Sequence, residues 1–106
     1  MNIKFNNYGQ ERERIATEAE IEIFEILKAL TLADDLELVR KSNDYVSAVV
    51  GDWDLARIKF TPRAKWITFP LTEHRTEKLR INEPEDVKGF AELADYSLSV
   101  IRKYSD

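Results

Sequence analysis

DYVSAVVGDWDLARIKFTPRAKWITF, residues 44–69, decides the fold. Two segments, Asp44–Val50 and Asp54–Phe60, flank Gly51, and a third, Lys65–Phe69, follows Pro62. Val46, Ala48 and Val50 recur at every second position, and so do Ala56, Ile58 and Phe60. A two-residue period is that of a strand with one covered face. The same residues set the register. A three-residue loop, Gly51-Asp52-Trp53, pairs Val50 with Asp54 and Ala48 with Ala56, and all six apolar residues then share one face. A two-residue loop would mix Arg57 and Lys59 with Val46 and Ala48, because a one-residue slip flips every side chain. A loop of three residues, or another odd length, is therefore predicted.

The next connection, Pro62-Arg63-Ala64-Lys65, suits a type I turn with Pro at its second position. It would pair Thr61 with Trp66 and Phe60 with Ile67, adding Ile67 and Phe69 to the apolar face. Leu36–Arg40 and Lys78–Ile81 are further candidate strands. The expected sheet is antiparallel, with three to four strands.

Outside this region the period changes. From Gln10 to Leu32, Ile15, Ala19, Phe24, Leu27 and Leu30 stand close to helical spacing, widened by Ile23 and Ile26. Acids crowd the first half, where a helix dipole favours them. A second helix is predicted from Glu83 to Lys103. Pro84 near its start loses no needed N–H. Val87, Phe90, Ala91, Ala94, Leu98 and Ile101 form its stripe. Both helices can cover the sheet's apolar face, giving an α+β two-layer sandwich in a single domain, residues 1–106.

Composition narrows the classes of function. The chain has 106 residues, no Cys, 43% hydrophobic and 34% charged residues, so it can build one core without staples. Disulfide, thiolate and Cys-zinc chemistry are excluded. Without Cys, an apolar leader or a membrane-length apolar run, a cytoplasmic protein is expected, with no membrane partner. The net charge of −4 is unevenly spread. Residues 55–80 carry seven basic and two acidic side chains, whereas residues 1–37 carry four and nine. The overall sign speaks against a dedicated nucleic-acid binder, and the basic third keeps that idea alive locally.

Catalysis finds little in the sequence. The single histidine, His74, stands in the polar run Thr72–Lys78, with no nucleophile elbow or Gly-rich phosphate loop elsewhere. Acid pairs at Asp34–Asp35, Asp52/Asp54 and Glu83/Glu85/Asp86 sit where loops and helix starts collect acids anyway. A nuclease-like acid-x-Lys is missing, since that position reads Arg57-Ile58-Lys59. No catalytic residue, metal ligand or cofactor is assigned.

The sheet's other face is more informative. In the expected register it gathers Tyr45, Leu55, Arg57, Lys59 and Trp66, with Arg63 and Lys65 in the adjacent turn. Aromatic rings among cations suit single-stranded nucleic acid, since bases stack and cations track phosphates. The same residues also suit a solvated antiparallel face, or a protein contact through Leu55, Val49, Tyr45 and Trp66.

One family pattern runs through the chain. Ile23-Phe24-Glu25-Ile26-Leu27 leads; Arg40-Lys41-Ser42-Asn43-Asp44-Tyr45 enters the first strand of the hairpin. Arg57-Ile58-Lys59-Phe60 and Lys65-Trp66-Ile67-Thr68-Phe69 come next, and Glu83-Pro84-Glu85-Asp86-Val87 opens the last helix. Phe24–Ile101 thereby resembles the domain of unknown function 5655 group of small bacterial and phage-type domains. The resemblance implies an accessory role near nucleic acid, with no catalytic residue to transfer. The residues themselves rank a non-enzymatic protein-interaction or self-associating domain, a homodimer, first. An accessory nucleic-acid binder stands second, and a small enzyme third.

Overall fold

The structure, a computed structural model, describes residues 2–7, 10–42, 45–73 and 76–105. The elements in chain order are β1 (Asn2–Asn7), β2 (Gln10–Ile15), α1 (Glu18–Thr31), β3 (Leu36–Arg40), β4 (Tyr45–Val50), β5 (Trp53–Phe60), β6 (Lys65–Thr68) and β7 (Leu79–Arg80). A 3₁₀ segment, Pro84–Phe90, then leads into α2 (Ala91–Ser105). The fold is α+β, an antiparallel sheet with two helices. The strand count of three to four needs correction. β3 to β7 already form a five-stranded antiparallel run. The hairpin β1–β2 joins its β3 edge, with β1 parallel to β3.

The expected helix from Gln10 begins too early. Glu11-Arg12-Glu13-Arg14 alternates in sign with a two-residue period, and this stretch pairs as β2 with β1. The helix starts where a cap is available. The Thr17 hydroxyl accepts from the N–H of Glu20 at 3.1 Å, and the Glu20 carboxylate accepts from the N–H of Thr17 at 2.9 Å. This capping box satisfies two donors that a helix start otherwise leaves open. The last helix is also subdivided: its first turns, containing Gly89, are 3₁₀, and regular α-helix begins at Ala91.

The β4–β5 register agrees with expectation over Tyr45–Ala48, which pair in order with Lys59, Ile58, Arg57 and Ala56. The loop differs. It is a two-residue turn at Gly51-Asp52, with Gly51 at φ 62°, so Val50 pairs with Trp53 and Val49 with Asp54. A bulge then absorbs Leu55 and restores the parity. One extra residue reconciles pattern and turn, and it lies in the strand, not in the loop. The β5–β6 register is two residues from the expected one: Phe60 pairs with Lys65, Lys59 with Trp66 and Ile58 with Ile67. An even slip leaves the faces unchanged.

The inner face carries Leu36 and Leu38, Val46, Ala48 and Val50, Ala56 and Ile58, and Ile67. Ile23, Phe24 and Leu27 of α1 and Ala94 and Ile101 of α2 pack into the same core, with Val87 between them. Each fully buried Ile, Leu or Phe contributes about 1.5–3 kcal/mol relative to exposure. Helices therefore cover one face of the sheet; on the other, called the open face below, Ser47, Val49 and Thr68 are buried among their neighbours, Tyr45, Lys59 and Trp66 are half-buried and Arg57 is exposed. Arg40 ends β3 on the covered face, where it meets Glu20 of α1 at 2.5 Å; the two residues are only 4% and 3% exposed.

Two local features make testable statements. Leu32 caps α1 in the left-handed region (φ 55°) with its side chain 83% exposed. A side chain there has a steric cost that glycine avoids. Leu32→Gly is expected to stabilise the fold by about 1 kcal/mol, read as a rise of about 4 °C in Tm. An unchanged or lower Tm would mean that the leucine makes a contact worth more than its strain. Asp86 accepts from the N–H groups of Asn82 (2.8 Å) and Glu83 (3.0 Å), and these bonds hold its carboxyl below the usual carboxylate value. A depressed folded-state pKa adds stability that is present above the unfolded-state value and is lost as pH falls through the folded one. Asp86→Asn is thus expected to lower Tm at neutral pH and to flatten its acid dependence. Tm measured from about pH 7 to pH 2 checks this; a parallel downward shift at every pH would contradict it.

Candidate nucleic-acid interface

The open face is built by strand alternation. Tyr45, Ser47 and Val49 of β4 point away from the helices, and their register partners bring up Lys59, Arg57 and Asp54 of β5. On β6, Trp66 pairs with Lys59 and Thr68 with Arg57; on β7, Arg80 pairs with Trp66. Trp66 thus sits on the open face flanked by Lys59 on one side and Arg80 on the other. Its ring centroid is 6.5 Å from that of Tyr45, with a 35° angle between the planes. The Lys78 ammonium lies over the indole, 5.2 Å from the centroid.

Between the β5–β6 turn and β7 lies a cleft of about 370 Å³, lined among others by Arg63, Lys65, Trp66, Lys78, Arg80 and Asn82. A second depression of about 450 Å³, lined by Lys59, Thr61, Pro62 and Arg63, lies on the other side of the turn. Among the described residues no carboxylate lines either one. Arg63 borders both. The turn that presents it is held by the Thr61 hydroxyl, which accepts from the N–H of Ala64 at 3.1 Å, and by a backbone bond from Thr61 to Ala64 at 2.9 Å. A concave wall of like charge with an aromatic floor concentrates anions and offers a ring for stacking.

The sequence-derived site residues separate into groups. Tyr45, Lys59, Arg63 and Trp66 gather at this end of the face; Lys65 borders the cleft, but it pairs with Phe60, alternates with Trp66 to the covered face and holds its ammonium 5.1 Å over the Phe60 ring. Arg57 is on the same face but tied to Asp54 by bonds of 3.1 and 3.2 Å, and Lys41 approaches that carboxylate at 3.6 Å. In this half of the face the cations share a carboxylate. Leu55 is a correction. The bulge turns it inward, it is 0% exposed in the core, and its carbonyl accepts from the Ser97 hydroxyl of α2 at 2.8 Å. It belongs to no surface. Lys78 and Arg80 were missed. Lys78–Ile81 was legible as a candidate strand, and pairing it with β6 would have placed Arg80 opposite Trp66.

The remaining candidates carry less. His74 lies outside the described residues, and so does Asp44, the expected first residue of β4. Among the described residues no group of three or more His, Asp or Glu side chains converges to hold a metal ion. No helix among them is long and apolar enough to cross a membrane. A third depression is lined by Thr72, Glu73, Glu92, Leu93 and Tyr96, two acids and, among the described residues, no base. No family model matches the chain, and no match was found among curated proteins or solved structures.

Proposed function

We propose that this chain is a non-catalytic binding domain that takes single-stranded nucleic acid on the open face of its sheet. The observation that carries the reading is the cleft in which Arg63, Lys78 and Arg80 surround Trp66, with no carboxylate among its described lining residues. The cations supply phosphate contacts without sequence preference, and the indole supplies a stacking platform worth about 1–3 kcal/mol per base. A duplex keeps its bases stacked inside and cannot use the ring. The net charge of −4 does not oppose this, since acids are concentrated in α1 and the last helical region, away from this segment.

The test is affinity as a function of salt. With about three or four phosphates neutralised, log K for a short single strand should fall with log salt at a slope of about −2 to −3. Absence of binding at low salt, or equal affinity for duplex and single strand, would contradict the reading.

A second reading, self-association, rests on a different surface. Trp53 stacks on Tyr104 (6.3 Å, 30°), both are exposed, and Arg102 of α2 reaches Asp35 just beyond the exposed Leu32. Exposed aromatic residues beside Arg are enriched in protein contacts. With Leu55 buried, this end of the molecule, not the open face, is where a homodimer contact belongs. Solution mass measured before and after Tyr104→Glu tests it; a monomer in both cases contradicts it.

A further inference from the structure

We infer that Lys78 makes the Trp66 site selective for phosphate-bearing ligands, by covering the ring until a phosphate draws it away. The inference rests on the nucleic-acid reading above and concerns how that site chooses.

The sheet order sets the arrangement. Tyr45 approaches Trp66 from the β4–β5 side, and Lys78 approaches from the β7 side. With its ammonium 5.2 Å from the indole centroid, Lys78 occupies space that an incoming base needs. Lys78 is exposed, so this cover is held weakly and its movement costs little packing. A base can therefore displace it, but the displaced ammonium fares differently with the two kinds of ligand. With an uncharged ligand, it gives up the ring and receives only water. With a phosphodiester, it exchanges the ring for a charged oxygen in the same cleft, beside Arg63 and Arg80. The cation–π contact thus penalises ligands that stack but carry no charge, and is compensated in those that carry both.

Discrimination between two ligands requires a contribution that differs between them, and Lys78 supplies it with opposite signs. The experiment compares a short phosphodiester oligonucleotide with the same sequence carrying uncharged methylphosphonate linkages, titrated against the native chain and Lys78→Ala. Removing the ammonium should tighten the uncharged oligonucleotide about two- to fivefold, the value of an exposed cation–π contact. It should weaken the phosphodiester about five- to tenfold at low salt and lower the salt slope by about 0.7, the loss of one contact. Lys78→Arg keeps both the charge and the ring contact and should restore the native order. A shift of both oligonucleotides in the same direction, or of neither, overturns the inference while leaving the binding reading intact. If the native chain binds neither oligonucleotide, both fall. Because Lys78 is exposed, Tm should not move, and an unchanged Tm confirms that affinities are compared between folded proteins.

Discussion

Glu20→Ala is expected to lower Tm by about 20 °C, the largest single effect of any substitution at an acidic position in this chain. Glu20 does two things at once. Its carboxylate closes the capping box at the start of α1, and it faces Arg40 at the end of β3, in a part of the core from which water is excluded. Removing one partner of such a pair costs about 3–5 kcal/mol, because the other charge stays buried in surroundings arranged for two. Loss of the cap adds about 1 kcal/mol. Against a typical total of about 5–15 kcal/mol, this is a large fraction. Glu20→Gln should fall between, since its amide oxygen can still accept from Thr17. Replacing both residues, Glu20→Leu with Arg40→Met, should recover much of the loss, because two apolar side chains leave no charge behind. Thermal unfolding monitored by circular dichroism measures all three. Glu22, exposed on the same helix, is the control; if Glu20→Ala costs no more than Glu22→Ala, the pair does not anchor α1 to the sheet.

The second large effect is functional. Arg63→Glu with Arg80→Glu should reduce affinity for a single-stranded oligonucleotide on the order of a hundredfold at low salt, through two lost phosphate contacts and two new repulsions. Trp66→Ala should cost about 1–3 kcal/mol of binding with the salt slope unchanged, because stacking carries no charge. Separate loss of slope and of affinity is the signature of a site built from cations and a ring. Both arginines are exposed, so Tm should stay within a few degrees. Arg57→Glu is a useful contrast. Its partner Asp54 already balances it, so its reversal should weaken binding less than either cleft arginine. Equal effects from Arg57 and Arg63 would mean that charge on the whole face matters, without a localised cleft.

How much of this was legible in residues 44–69 can be stated position by position. The alternation of Val46, Ala48, Ala56 and Ile58 set the two faces, and they stand as expected. Turn length was not legible, because a bulge and a longer loop preserve parity equally well, and only the backbone distinguishes them. That one ambiguity decides Leu55, which a loop leaves on the open face and a bulge buries. The slip of β6 by two residues was invisible for the same reason: parity patterns repeat every two residues. It moved Trp66 directly opposite Lys59, which tightened the site. β2 was misread because Ile15 and Ala19 fit helical spacing, while the strand signal lay in the signs of Glu11 to Arg14. β7 is two residues long, too short for any period, so Lys78–Ile81 stood as a candidate strand without a register, and neither Arg80 nor the cover residue Lys78 was assigned to the site. The Glu20–Arg40 pair had no sequence signal either, since acids on a helix and a base on a strand are individually ordinary on a surface.

The most direct test uses the fluorescence of Trp66 alone. Trp53→Phe removes the only other tryptophan, which stands at the opposite end of β5 from the Trp66 pairing, so the remaining signal comes from the cleft. The variant would be titrated with a short single-stranded oligonucleotide at about 50 mM and about 200 mM salt. Binding in the cleft requires saturable quenching that weakens as salt rises, with little response to a duplex of the same sequence. No change in Trp66 emission at the lower salt, where attraction to phosphate is strongest, would contradict it.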